Sequence, residues 1–255
     1  MTETLTPEIT ARKLKRQHHQ WYSSHLNRNM ELLVFGHSGN PVIFFPTRTA
    51  RFYDYEDWKI IDALSEKIEA GNLQVFCVDS IDKESFYSSC CHPSEKIYRH
   101  QQFENYIIRE LIPFIRDQNF NNNLVAAGCS LGAYHAVNIA FRHPHLFTKV
   151  VGMSGRYDLT LQLEYFDDLF NGYTDEDIYY NMPSQYIPNL IDEKILAQLK
   201  RMEIFLAVGQ GDAFLNNNIE LSQSLYKKGI HHTLHLWDGE AHKARYWSRM
   251  VQVYL

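Results

Sequence analysis

The chain has 255 residues, 45% of them hydrophobic, enough to bury one large core as a single α/β domain spanning 1–255. Its 25 basic and 30 acidic residues give a net charge of −5, and outside Arg12 to Arg16 there is no dense Lys/Arg block, so the electrostatic footprint of a nucleic-acid binder is missing. The N-terminus MTETLTPEITARKLKRQ has no apolar h-region, no run approaches the roughly 18 apolar residues of a membrane span, and four cysteines do not make a disulfide framework; a cytoplasmic protein without a membrane partner is expected.

Residues 16–37 read as two strands, RQHHQWYSSHL and MELLVFG, joined by a turn at Asn27-Arg28-Asn29, with a third strand at Pro41–Phe45. The opening is therefore expected to be antiparallel β. Tyr55 to Glu69 places Trp58, Ile61, Leu64 and Ile68 at helical spacing, and Asn72–Val78 is the next strand. A loop over Asp79–His92 leads to Ser94, expected to cap a helix running to about Arg116 with Phe103, Tyr106, Ile107, Leu111 and Phe114 on its core face. Strands at Leu124–Ala127, Lys149–Met153, Met202–Val208 and His232–Trp237 alternate with helices after Ser130, at about 216–228 and from 242 onward. That alternation predicts a mostly parallel sheet covered by helices on both faces, entered through an antiparallel edge that could pair with a second subunit or be covered by the N-terminal segment.

Residues 157–200 interrupt this rhythm, since the connection far exceeds an ordinary βα crossover. They read as a cap, holding Tyr165, Phe166, Phe170, Tyr173, Tyr179, Tyr180 and Tyr186 among several acids. Such a segment either packs on its own aromatics or forms a lid over a substrate pocket.

Within LVAAGCSLGAYHA (124–136) the run Gly128-Cys-Ser-Leu-Gly132 follows a short apolar strand and opens a helix that His143-Pro144 stops. This is the context of a nucleophile elbow, in which a sharp strand-to-helix turn projects the serine hydroxyl into a cleft and the flanking glycines avoid collisions. Ser130 is the candidate nucleophile. Cys129 beside it reads as a small buried hydrophobe, and His135 and His145 as structural residues.

A serine hydroxyl is a poor nucleophile near neutrality, so it needs an imidazole base, and the imidazole needs a carboxylate to fix its tautomer. Chain order Ser, acid, His is available. Asp212 follows the strand ending at Val208 within the tight loop Gly209-Gln-Gly-Asp212, and its rival Asp158 follows the preceding strand; the glycines and the helix starting soon after favour Asp212. His242 lies just beyond the last strand, whereas His231, His232 and His235 lie before or inside it and would point along the sheet rather than into its carboxyl-edge crevice.

Oxyanion donors are expected from the backbone N–H of Leu131 and from Thr47 or Arg48 in the loop after PVIFF. Arg48 could also meet an anionic group of the substrate, or simply pair with a cap carboxylate. Arg48, Tyr165 and Tyr173 are the candidate substrate-binding residues.

With elbow, acid and histidine in place, the chain resembles the α/β-hydrolase superfamily over nearly its whole length. It looks most like the bacterial esterase branch related to esterase D and the antigen 85 acyltransferases, through Glu31–His37, Pro41–Pro46, Arg51–Asp57, Gly128–Ala136 and Met153–Asp158. The resemblance implies a serine hydrolase with Ser130, Asp212 and His242 as triad and no metal or organic cofactor. It departs from that pattern at Arg48-Thr49-Ala50, where related chains tend to carry small residues. The expected reaction is cleavage of a small-molecule ester through an acyl-enzyme. Thioesterase, amidase or acyltransferase chemistry would use the same residues, and a non-catalytic scaffold presenting the Tyr-rich cap is the reading from another class.

Overall fold

The computed structural model describes residues 14–163 and 165–255; most of the polar N-terminal stretch, including Arg12, lies outside them. Eight strands form one sheet: β1 (Arg16–Ser23), β2 (Arg28–Phe35), β3 (Asn40–Phe45), β4 (Leu73–Val78), β5 (Val125–Cys129), β6 (Lys149–Met153), β7 (Glu203–Gly209) and β8 (Thr233–Trp237). Their spatial order is β1-β2-β4-β3-β5-β6-β7-β8. Only β2 runs against its neighbours, antiparallel to β1 and to β4, while the pairings from β4 through β8 are parallel. This is the α/β-hydrolase arrangement. The expectation of an antiparallel opening holds for β1 and β2 but not for β3, which crosses over to lie between β4 and β5, because a strand buried on both faces belongs in the middle of the sheet.

The two-residue period of the strands sorts side chains to opposite faces. Ile43, Phe45, Phe76, Val78, Ala126 and Val150 pack on one side against α4 (Pro93–Tyr106), α5 (Ile112–Gln118), α6 (Leu131–Arg142) and α10 (Leu215–Lys227). Val42, Phe44, Val75, Cys77, Ala127 and Val151 pack on the other against α1 (Asp54–Asp57), α2 (Ile60–Ala63), α3 (Ser65–Glu69) and α11 (Ala244–Tyr254).

Three helix expectations need correction. The helix expected over 55–69 is three short pieces, since Lys59 adopts a left-handed backbone (φ 60°) that breaks the hydrogen-bond ladder between α1 and α2. The helix expected to be capped by Ser94 is capped two residues earlier, by His92, whose Nδ1 accepts from the Ser94 N–H while Glu95 reaches back to the His92 N–H. The same helix widens into a π turn at Ile107–Leu111 before α5, just where Pro113 lacks the N–H that would continue the α ladder.

Residues 157–200 carry α7 (Glu176–Tyr179), α8 (Pro183–Tyr186) and α9 (Glu193–Leu199) between β6 and β7. Phe170, Ile178 and Met182 join Phe86, Leu131 and Tyr134 in a small core of their own, so this excursion is anchored beside the start of α6. No helix of the described residues is long and apolar enough to cross a membrane.

Candidate active site

The parallel strands end on one edge of the sheet, and the loops that follow β3, β5, β6, β7 and β8 meet there. The turn after β5 is the tightest. Ser130 holds φ 56° and ψ −121°, a conformation L residues avoid, between the end of β5 and the first residue of α6. Its geometry depends on Gly128 and Gly132: a Cβ at Gly128 would strike the Gly132 carbonyl, and one at Gly132 would strike the Phe45 carbonyl at the end of β3. A larger residue at either position would push the elbow off the sheet.

Three side chains that are far apart in sequence converge here. His242 Nε2 lies 2.9 Å from Ser130 Oγ, and His242 Nδ1 lies 2.9 Å from Asp212 Oδ2. The other Asp212 oxygen accepts from the Phe214 N–H (2.9 Å), which fixes the buried carboxylate against rotation. His242 is kept in place by Trp247 and Phe214, whose rings pack against its imidazole. Asp158, the alternative acid, is turned elsewhere, with its carboxylate accepting from the Thr160 N–H and hydroxyl and from Gln185 Nε2. The alternative histidines are likewise engaged away from Ser130, His232 with Ser222 and His235 with the Tyr254 hydroxyl. Burial pushes the Cys129 thiol pKa up, which suits a packing residue rather than a second nucleophile.

A cavity of about 300 Å³ opens in front of Ser130, lined among others by Thr47, Arg48, Leu131, Arg156, Phe166 and His242. Leu131 is the first residue of α6, so its N–H has no intrahelical acceptor. Thr47 and Arg48 stand opposite in the loop after β3, a tight turn closed by the Ala50 N–H on the Thr47 carbonyl (3.0 Å). Thr49 takes a positive φ of 54° there, and its N–H donates to Asp82 Oδ2 (2.9 Å). The other oxygen of Asp82 meets His135 Nε2 (3.3 Å) on α6, so one buried carboxylate ties the loop to the helix that carries the elbow.

Two expected substrate contacts are not at this cavity. Tyr165 is 80% exposed and lines an adjoining cavity of about 250 Å³, and Tyr173 packs edge-on against His92. Their neighbour Phe166 takes the inward position instead, its ring tilted against Phe214 at 4.5 Å between centroids. Arg156, Trp58, Tyr87 and Trp247 also line the Ser130 cavity and were not anticipated. Tyr87 sits in a loop whose sequence carries no spacing signal, and the helical spacing of Trp58 pointed to a packing role, whereas Arg156, two residues before Asp158 and just past the end of β6, lies where a strand's carboxyl end feeds the crevice.

The family model described as "Putative esterase" matches residues 23–252. The chain belongs to that family. It is an enzyme that acts on ester bonds, and the esterase shares its fold with solved structures at low sequence identity. A ferulic acid esterase superposes with a TM-score of 0.76 at 17% identity, covering 94% of this chain and 96% of that one. An S-formylglutathione hydrolase from Agrobacterium tumefaciens gives 0.71 at 16% identity, covering 94% and 92%. MPT51 from Mycobacterium tuberculosis gives 0.67 at 13% identity, covering 94% and 96%. No curated protein matches the esterase by sequence.

Proposed function

We propose that the esterase is a serine carboxylesterase that cleaves a small-molecule ester through an acyl-enzyme, with Ser130, His242 and Asp212 as its triad. The observation that carries this reading is the continuous line of two 2.9 Å contacts from Ser130 Oγ through the imidazole to a buried carboxylate.

In that mechanism the Ser130 hydroxyl donates to His242 Nε2 and Oγ attacks the ester carbonyl carbon as the proton passes to the imidazole. Asp212 accepts from Nδ1–H, which holds the productive tautomer and stabilises the imidazolium. Negative charge develops on the carbonyl oxygen and is met by the Leu131 N–H and an N–H of Thr47 or Arg48. His242 returns the proton to the departing alkoxide, giving the alcohol and an acyl-Ser130 ester. Water, deprotonated by the same imidazole, then attacks the acyl carbon, and Ser130 leaves with the proton as the carboxylic acid is released.

The strained elbow supports the assignment of Ser130, since a non-glycine residue is kept at φ 56° only where the surrounding packing enforces it. The direct test is labelling with a fluorophosphonate followed by peptide mapping. Modification of Ser130 in the native enzyme, absent in His242→Ala, is expected. A chain that stays unlabelled and inert on p-nitrophenyl esters from acetate to decanoate would sink the reading in favour of a non-catalytic scaffold.

A further inference from the structure

Arg156 is only 4% exposed, and all of its hydrogen bonds among the described residues go to backbone carbonyls. Nε donates to Asp158 (3.2 Å), and Nη2 donates to Leu159 (3.1 Å), Leu161 (2.6 Å) and Asp167 (2.7 Å). These bonds orient the guanidinium but supply no countercharge, and Nη1 takes part in none of them. An arginine stays protonated in a protein, so the site holds a desolvated positive charge whose direct partners are backbone dipoles, with the nearby carboxylates acting only through space. Consistent with that, burial lowers the Arg156 pKa despite the acids nearby.

Two more cations share the space. The cavity before Ser130 and the adjoining one both include Arg48, Tyr87, Arg156 and Phe166 in their walls, so they form one cleft. Arg48 stacks its guanidinium on Tyr87, 5.6 Å from the ring centroid. Lys96, 8% exposed, lines the adjoining cavity and donates from Nζ to the Leu169 carbonyl (3.0 Å). The acids lining that cavity are Asp167 and Asp168. Asp168 spends both oxygens on the Phe170 and Gly172 N–H groups, and Asp167 Oδ1 accepts from Gln162. Those neutral donors orient the two carboxylates without cancelling their charges, so the linings hold three cations, Arg48, Lys96 and Arg156, against two carboxylates, an excess of one positive charge beside the reacting serine.

We infer that Arg156, with Arg48 and Lys96 along the same cleft, forms an anion subsite, and that the preferred substrate of this esterase is an ester carrying a carboxylate. A carboxylate entering the cleft would give Arg156 the directly bonded countercharge its protein partners lack, and would accept a charge-assisted hydrogen bond from a guanidinium that is itself buried. The inference rests on the serine esterase reading for its chemistry but not for its binding, and the two can fail separately.

The experiment compares matched esters with native enzyme. Mono-p-nitrophenyl glutarate and p-nitrophenyl valerate have the same five-carbon acyl chain and differ by a terminal carboxylate; 4-acetoxybenzoate and its methyl ester place the same difference on the alcohol side. In one of the pairs the anionic ester should show kcat/KM about 10- to 100-fold above its neutral partner, the range of one charge-assisted hydrogen bond. The preferred pair then assigns the subsite to the acyl or the alcohol side. The preference should collapse toward one in Arg156→Gln, chiefly through KM, and shrink in Arg48→Gln. Ratios at or below one in both pairs, or a ratio that survives in folded Arg156→Gln, would overturn the subsite.

Because Arg156 also anchors four carbonyls, its variant could fail to fold, and a second measurement keeps the inference testable. Calorimetric titration of Ser130→Ala with glutarate should give binding that glutaramide does not. Equal or absent binding of both probes would overturn the anion subsite. Selective glutarate binding combined with no turnover of any ester by the native enzyme would instead overturn the Ser130 chemistry and leave the subsite standing.

Discussion

The Tyr55 hydroxyl accepts a hydrogen bond from the Cys129 N–H at 3.1 Å and donates to the Phe45 carbonyl at 2.7 Å. One phenol thus clamps the last residue before the nucleophile to the end of the strand that leads into Thr47 and Arg48. Both loops expected to contribute oxyanion donors hang from this clamp, and a shift of a few tenths of an ångström at either would misplace an N–H. Burial raises the Tyr55 pKa well above that of a free phenol, so the donor persists at alkaline pH.

Tyr55→Phe keeps the ring, stacked on Phe44 at 3.9 Å between centroids, and removes only the clamp. It leaves a buried N–H and a buried carbonyl unpaired, at a cost of about 1–3 kcal/mol. The expected outcome is a lower denaturant midpoint together with a kcat reduced on the order of tenfold and a nearly unchanged KM. Unchanged kcat would show that the clamp stabilises the fold without tuning the oxyanion donors.

The two candidate acids are separated by what their oxygens already do. Asp212 commits one oxygen to the Phe214 N–H and the other to His242, whereas Asp158 is saturated by Thr160 and Gln185. Asp212→Asn presents an amide that stabilises the wrong imidazole tautomer, so kcat should fall on the order of 10⁴-fold. Asp158→Asn should cost less than about tenfold, since it loosens a loop rather than the base. Steady-state kinetics on one p-nitrophenyl ester decides the ranking, and the reverse order would reassign the acid.

Gly132 makes a sharper structural prediction. Its missing Cβ is the space occupied by the Phe45 carbonyl, which is itself held by Tyr55 and cannot retreat. Gly132→Ala should therefore destabilise the enzyme by at least the 1–3 kcal/mol typical of overpacking, and should abolish fluorophosphonate labelling in whatever fraction remains folded. Gly172→Ala is the control, because nothing lies within 4 Å of a Cβ there, although its φ of 78° adds backbone strain.

Much of this was legible in the sequence because local pattern and chain order carry it. The elbow pentapeptide, the strand before it and the placement of Asp212 and His242 after successive strands are one-dimensional signals, and the structure brings those three residues together. Features set by tertiary packing were not legible. Nothing in Trp58-Lys59-Ile60 announces a left-handed Lys59, and the apolar spacing of 55–69 remains helical although the backbone is broken. The position of β3 between β4 and β5 is a crossover that periodicity cannot report. In the cap, aromatic density pointed to Tyr165 and Tyr173, but which of several adjacent aromatics turns inward is set by tertiary packing, and it is Phe166, packed against Phe214, that lines the cavity.

Acid sensitivity follows from a buried polar cluster behind α6. His100 is buried, and desolvation followed by repulsion from His135 lowers its pKa to about 3. Below the ordinary histidine value of 6.5 the unfolded chain takes up a proton that the native state refuses, so stability drains as pH falls from 6.5 toward 3, by up to about 1.4 kcal/mol per pH unit. Glu104, four residues along the same helix, acts in a lower window. Burial alone would raise its pKa, but hydrogen bonds from His143 and Arg142 and their charges outweigh that and hold it at about 2, against 4.5 for a free carboxyl. Its contribution is present above pH 4.5 and is lost as pH falls from there to 2. Chemical denaturation from pH 7.5 to 4 should therefore show stability declining first through His100, and His100→Gln should flatten the curve between pH 6.5 and 4.5 while Glu104→Gln leaves that segment's slope intact and removes the steepening below it. A native curve that is flat down to pH 4.5 would mean that His100 is protonated, or solvated, in the folded enzyme.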